Sequence, residues 1–138
     1  MTKIFCDIAD IKQIKKFNNK RTVKGFTTNP SLIRKAGARN YSKYCKNILK
    51  ITNKPISFEV FADDKKKIIE QANIIKKWGK NVYVKIPVTN SKGIFLGDVI
   101  KKLNSKNIKL NITAVYTAAQ TKKILKNINK KTPVIISI

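Results

Sequence analysis

The stretch 81-NVYVKIPVTN-90 alternates β-branched apolar residues with other side chains and sets Lys85 in the middle of the alternation. A period of two over this length predicts a strand with one apolar face. Val82 and Val84 mark that face, so Lys85 belongs to the other. Nearly all the remaining lysines fall on polar helix faces or in loops. What the second face of this strand meets decides the fold.

Outward from this strand, segments with period two alternate with longer segments of helical period. Strands are predicted at 3–8, 24–28, 55–61, 81–88, 108–116 and 133–138. Asp10 can cap a helix running to about Phe17, and Pro30 suits the first turn of a short helix over 30–36. A further helix follows Gly37 over 40–51. Asp63 or Asp64 caps a helix to Trp78 with Ile68, Ala72 and Ile75 on one face, stopped by Gly79. Helices are also expected over 93–104, weakened by Gly97, and over 117–129 with Thr117 as a cap.

This order predicts a parallel sheet with helical crossovers, either an open doubly wound sheet or a (β/α) barrel. Strands buried in an open parallel sheet read apolar on both faces. Here each strand has one apolar face, such as Ile4, Cys6 and Ile8. The other face carries a polar residue near the C-terminal end: Asp7, Asn29 just beyond the second strand, Glu59, Lys85, and Asn111 with Thr113. Inward polar residues at matching depth fit a TIM-type (β/α) barrel with its site at the C-terminal mouth. A full barrel has eight such units in about 250 residues, so 1–138 reads as a single barrel domain with about six of eight strands, incomplete at its C-terminus.

Composition narrows the chemistry. A hydrophobic fraction of 42% argues against disorder. No apolar stretch reaches the length of a membrane span, the N-terminus lacks a signal-peptide core, and only Cys6 and Cys45 are present. A cytoplasmic protein with no membrane partner is the expectation. The net charge of +24 raises nucleic-acid binding, yet of 31 basic residues only Arg21, Arg34 and Arg39 are arginine. The lysines are spread along the chain, as AT-rich codons would produce, so no specific nucleic-acid partner is expected. The absence of histidine excludes Ser-His-Asp and Cys-His nucleophile systems and histidine-ligated metals.

Only seven residues are acidic. Asp10, Asp63, Asp64, Glu70 and Asp98 sit at helix starts or on helices, where capping or solvation accounts for them. Asp7 and Glu59 lie inside apolar strands, which is costly unless they are paired or functional. A lone mid-strand lysine is ordinarily a solvated edge residue. Beside two carboxylates on the same interior it becomes a candidate nucleophile. An amine held against apolar walls is disfavoured as a cation, and a free amine attacks a ketone to give a Schiff base.

In order, FCDIAD, 25-GFTTNPSLI-33, 57-SFEV-60, 82-VYVKIPVT-89 and 111-NIT-113 resemble the signatures of the transaldolase family, including the fructose-6-phosphate aldolases. The resemblance covers essentially the whole chain. It implies that Lys85 forms a Schiff base with a sugar-phosphate substrate, without metal or organic cofactor. It implies that Asp7 takes the proton from the hydroxyl that leaves as aldehyde. Glu59 with Thr113 would position a water for proton transfers, and Asn29, Asn111 and Ser137 would line the donor pocket. Thr27 and Thr28 are pocket residues or supports of the turn. Glu59 favours the transaldolase branch, since the aldolase branch typically has glutamine there.

After 111-NIT-113 this chain reads AVYT, where the family usually continues Leu-Ile/Val-Phe-Ser. It also stops at Ile138, before the family's phosphate-binding arginine. The expectation is a truncated and poorly active portion, prone to form a homo-oligomer or aggregate through exposed strand edges. The alternatives are a catalytically inactive barrel fragment that acts as a binding protein, and a fructose-6-phosphate aldolase-type lyase.

Overall fold

The computed structural model describes residues 2–138. Strands β1 (Ile4–Asp7), β2 (Val23–Thr27), β3 (Ile56–Glu59), β4 (Val82–Pro87), β5 (Leu110–Thr113) and β6 (Val134–Ile136) alternate with helices. The helices are α1 (Ile11–Asn18), α2 (Pro30–Lys35), α3 (Tyr41–Leu49), α4 (Lys65–Lys76), α5 (Gly97–Ser105) and α6 (Ala118–Leu125). The six strands form one sheet in the order β1-β2-β3-β4-β5-β6. A doubly wound sheet reverses its order at a switch point, whereas a (β/α) barrel keeps chain order throughout. The fold is that of a TIM-type (β/α) barrel, with six of its strands in this chain. No helix among the described residues is long and apolar enough to cross a membrane.

Two compact units divide the chain. The first runs to Glu59 and includes Trp78–Val82; the second comprises Val60–Lys77 and Tyr83–Ile138. In the first, parallel pairing sets Asp7 opposite Thr27 and Thr27 opposite Ser57. Phe26, Ile56 and Phe58 form the buried strand face, with Ile14, Ile33, Cys45 and Ile48 buried on the helices. Each large side chain so buried contributes about 1.5–3 kcal/mol. Trp78 packs edge-on against Phe58, with ring centroids 5.9 Å apart. On the opposite face the ring of Phe5 lies over Gly25. A Cβ there would collide with that ring and come within 2.7 Å of the Pro55 carbonyl, so the crossing requires glycine.

In the second unit, Val84 pairs with Leu110, and Ile86 with Ile112 and then Ile136. Val84, Ile86, Leu110 and Ile112 are fully buried, as are Ile68 and Ala72 of α4 and Ile100 and Leu103 of α5.

The helix starts follow from their caps. The side chains of Asp10, Asn29, Asn40, Asp64 and Thr117 each accept a hydrogen bond from the backbone N–H three residues on. Of the two candidates before α4, Asp64 is the cap. Asp63 instead accepts two 2.7 Å bonds from the backbone N–H and hydroxyl of Ser91.

Three sequence expectations are corrected. Residues 93–96 are not helical, because Gly93 turns at φ 73° and Thr89 bridges to Phe95, so α5 begins at Gly97. Ile4 is 53% exposed rather than part of a buried face, since β1 stands at the end of the strand order and has only β2 beside it. β5 stops at Thr113 instead of reaching residue 116, because Ala114 adopts a left-handed φ of 59° that no strand continues through.

Candidate active site

β4 shows strict alternation: Val82, Val84 and Ile86 are buried, while Tyr83, Lys85 and Pro87 on the other face are half-buried. Lys85 therefore projects away from the helix-packed layer. In register beside it on β5 is Asn111, which is fully buried, and Thr113 stands opposite Pro87. Asn111 pairs in turn with Ile135 of β6. Two residues further on, Ser137 donates from its hydroxyl to Asn111 Oδ1 at 2.7 Å. The Ser137 backbone is fixed as well: its N–H donates to the Ile112 carbonyl at 2.8 Å, and its carbonyl accepts from Val115 N–H at 3.2 Å. Four predicted residues, Lys85, Asn111, Thr113 and Ser137, thus share one sheet face at the C-terminal ends of β4, β5 and β6.

The first unit gathers the carboxylates. Asp7 is the last residue of β1, is exposed, and accepts a 2.8 Å bond from the Thr27 hydroxyl. Ser57 follows in register on the same face, and Glu59, two residues beyond, points the same way at the end of β3. Thr28 is buried and its hydroxyl donates to the Ser57 carbonyl at 2.7 Å, which is backbone support of the turn. Asn29 caps α2 through Oδ1, accepting from Leu32 N–H at 2.9 Å, and its Nδ2 takes no part in the cap.

Sequence reasoning missed the tyrosines of α3. The Tyr41 hydroxyl donates to the Glu59 carbonyl and accepts from the Glu59 N–H, both at 3.0 Å. One turn on, the Tyr44 hydroxyl donates to the Ala9 carbonyl at 3.0 Å, just past Asp7. One helix face thereby ties down the C-terminal ends of the two strands that carry the acids. Helical periodicity marks both tyrosines only as half-buried; no sequence signal says where a phenol points.

Burial holds the Tyr41 phenol far above its ordinary range, with Cys45 adding to the effect. Burial also pushes the Cys45 thiol up to about 12, so this cysteine is no thiolate nucleophile. Tyr44 is raised by burial and then by the charge of Asp10. Among the described residues no group of three or more His, Cys, Asp or Glu side chains comes together as metal ligands would. A cavity of about 430 Å³ in the second unit, lined by Val115, Tyr116, Thr121 and Ile138, does not include Lys85.

Comparison with known proteins supplies the context. A family model described as transaldolase/fructose-6-phosphate aldolase matches residues 4–138. A probable transaldolase of Clostridioides difficile is 41% identical over 118 residues, which are 86% of this chain and 52% of that protein. Probable transaldolase 2 of Listeria monocytogenes is 37% identical over the same shares, 86% and 52%. A probable transaldolase of Methanococcus maripaludis is 39% identical, covering 86% of this chain and 53% of that protein. The chain spans about half the length of the curated relatives it matches.

Proposed function

The chain belongs to the transaldolase/fructose-6-phosphate aldolase family, and from that premise we propose that it carries the Schiff-base half of a class I aldol transfer between sugar phosphates. The observation that carries the proposal is the shared face of β4, β5 and β6. Lys85 stands in register beside buried Asn111, whose Oδ1 is held by Ser137. An amine next to fixed amide and hydroxyl groups can both react with a ketone and orient its hydroxyls.

The Lys85 amine adds to the ketone carbon of a ketose phosphate. The former carbonyl oxygen gains protons and departs as water, leaving a protonated imine. Glu59 and Thr113 serve these proton transfers through a water. Asp7 then accepts the proton of the hydroxyl on the far side of the bond to be broken. That oxygen becomes an aldehyde carbonyl, the carbon–carbon bond breaks, and its electron pair moves into the imine to give an enamine on Lys85. Attack of the enamine on an acceptor aldehyde, followed by hydrolysis, returns the free amine. Glutamate at position 59 favours transfer over the aldolase-type lyase reaction.

Borohydride reduction in the presence of fructose 6-phosphate is the test. A stable mass increment on Lys85 that disappears in Lys85→Ala is expected. A folded sample that traps no adduct overturns the proposal and favours a binding protein built on the same scaffold.

A further inference from the structure

At the opposite ends of the strands in the first unit lies a second concavity, unrelated to the chemistry proposed above. It has a volume of about 390 Å³ and is lined by Asn18, Asn19, Lys20, Arg21, Lys24 and Lys54. It sits where α1 turns into β2 and where the chain enters β3. Four cations face this space, and no carboxylate lines it. From Ile11 to Phe58 the sequence contains no Asp or Glu at all. The acids of this unit, Asp7, Asp10 and Glu59, all lie at or just beyond the C-terminal ends of β1 and β3.

The walls of the concavity are built. Lys54 Nζ donates to the Lys20 carbonyl at 2.9 Å, and the same carbonyl accepts from Val23 N–H at 3.2 Å. The Thr52 hydroxyl donates to Asn18 Oδ1 at 2.7 Å and accepts from Lys54 N–H at 3.1 Å. Asn18 Nδ2 donates to the Ile51 carbonyl at 3.3 Å. Asn81 Nδ2 donates to the carbonyls of Thr52 and Lys54 at 3.1 and 2.9 Å. The segments on either side are thus stapled to each other and to a third, and the Lys54 ammonium is anchored at the rim by backbone.

Cations held close together without a counter-charge repel, and an anion relieves that repulsion. Arg21 adds a planar fork suited to bidentate contact with phosphate oxygens, while lysines supply point charges. A single phosphate offers about two charges to four cations; linked phosphates match them better. We propose that this concavity is a binding site for an oligophosphate, an anion of two or more linked phosphate groups.

Calorimetric titration of the full chain with inorganic tripolyphosphate at about 0.15 M salt tests this. Saturable one-to-one binding is expected, weakened about tenfold by Arg21→Gln and severalfold by Lys24→Gln. The Lys101→Gln/Lys102→Gln double variant removes more charge from exposed α5 and should stay within twofold of the unaltered chain. Equal weakening by the α5 pair would reduce the effect to net charge and overturn the site, as would a lack of saturable binding at this salt. Adenosine triphosphate in a parallel titration separates two sources of the same chemistry. Equal affinity means the phosphate chain alone is read, and tighter binding means a nucleotide. A short single-stranded oligonucleotide that binds more tightly than tripolyphosphate and responds to Arg21→Gln would instead make this face a nucleic-acid surface and overturn the proposal. Unchanged thermal midpoints certify that the variants are folded.

Discussion

Tyr41→Phe isolates how the end of β3 is held. The phenol makes two 3.0 Å hydrogen bonds to the backbone of one residue, Glu59. Burial keeps it protonated, so both bonds persist through the neutral range. A buried hydrogen bond contributes about 1 kcal/mol net, and the substitution keeps the ring that packs 6.1 Å from Trp78. The expected loss is therefore about 2 kcal/mol, or roughly 5–10 °C in thermal midpoint for a chain of this size. Circular dichroism melts and urea titration measure it. Tyr44→Phe removes a single donor, shared between the Ala9 carbonyl at 3.0 Å and the Ala36 carbonyl at 3.5 Å, and should cost about half as much. The functional consequence is selective. If Glu59 positions the water for imine formation, a loosened strand end slows borohydride-trappable adduct formation severalfold in Tyr41→Phe while the final yield on Lys85 is retained. Stability within about 0.5 kcal/mol of the unaltered chain would refute the clamp. Equal slowing by Tyr44→Phe would mean general loosening and refute the specific link to Glu59.

Alkaline stability should report on Cys45. Its thiol is raised by burial from 9.0 to about 12, so the stability tied to the neutral thiol is complete below pH 9 and is lost as pH climbs towards 12. Urea unfolding should lose about 1 kcal/mol between pH 9 and 10 beyond any loss in Cys45→Ala, which lacks the group; parallel curves would exclude it. Ala114 holds a left-handed φ of 59°, which costs a side chain with a Cβ about 1 kcal/mol. Ala114→Gly should raise stability by roughly 0.5 kcal/mol after its extra unfolded-state entropy is counted, and a measured loss would show that the Cβ contributes packing instead.

The alternation of elements was legible because strands carry one apolar face and several helices open on a capping side chain: Asp10 and Thr117 cap as the sequence suggests, Asp64 is one of the two candidates it offers, and α5 starts after Leu96 without a side-chain cap. Lys85 was legible for the same reason, since an interrupted period of two says which face a residue occupies. Periodicity says nothing about where a strand stands in the sheet, and so Ile4 was misjudged. Nor does it reveal partners distant in sequence. Ser137 on Asn111, Tyr41 on Glu59 and Lys54 on Lys20 are meetings made by topology. The start of α5 was misjudged because 93-GIFL-96 is as apolar as a helix face, while the turn at Gly93 and the bridge to Phe95 depend on backbone geometry.

Charge placement separates what composition can explain from what it cannot. A bias towards lysine accounts for how many cations there are and for their scatter over helix surfaces. It gives no reason for the few acids to avoid one end of a unit. In the first unit every acid is at or beyond a strand's C-terminal end, while the concavity at the opposite end is lined by Lys20, Arg21, Lys24 and Lys54 with no carboxylate. Two of those acids, Asp7 and Glu59, share a sheet face and terminate strands whose ends are fastened by α3. Fastening a strand end with a buried phenol is a structural investment that a merely solvated carboxylate does not require. In a chain this basic, the positions of Asp7 and Glu59 at their strand ends, like that of Lys85 on its strand face, are therefore set by the fold and not by composition.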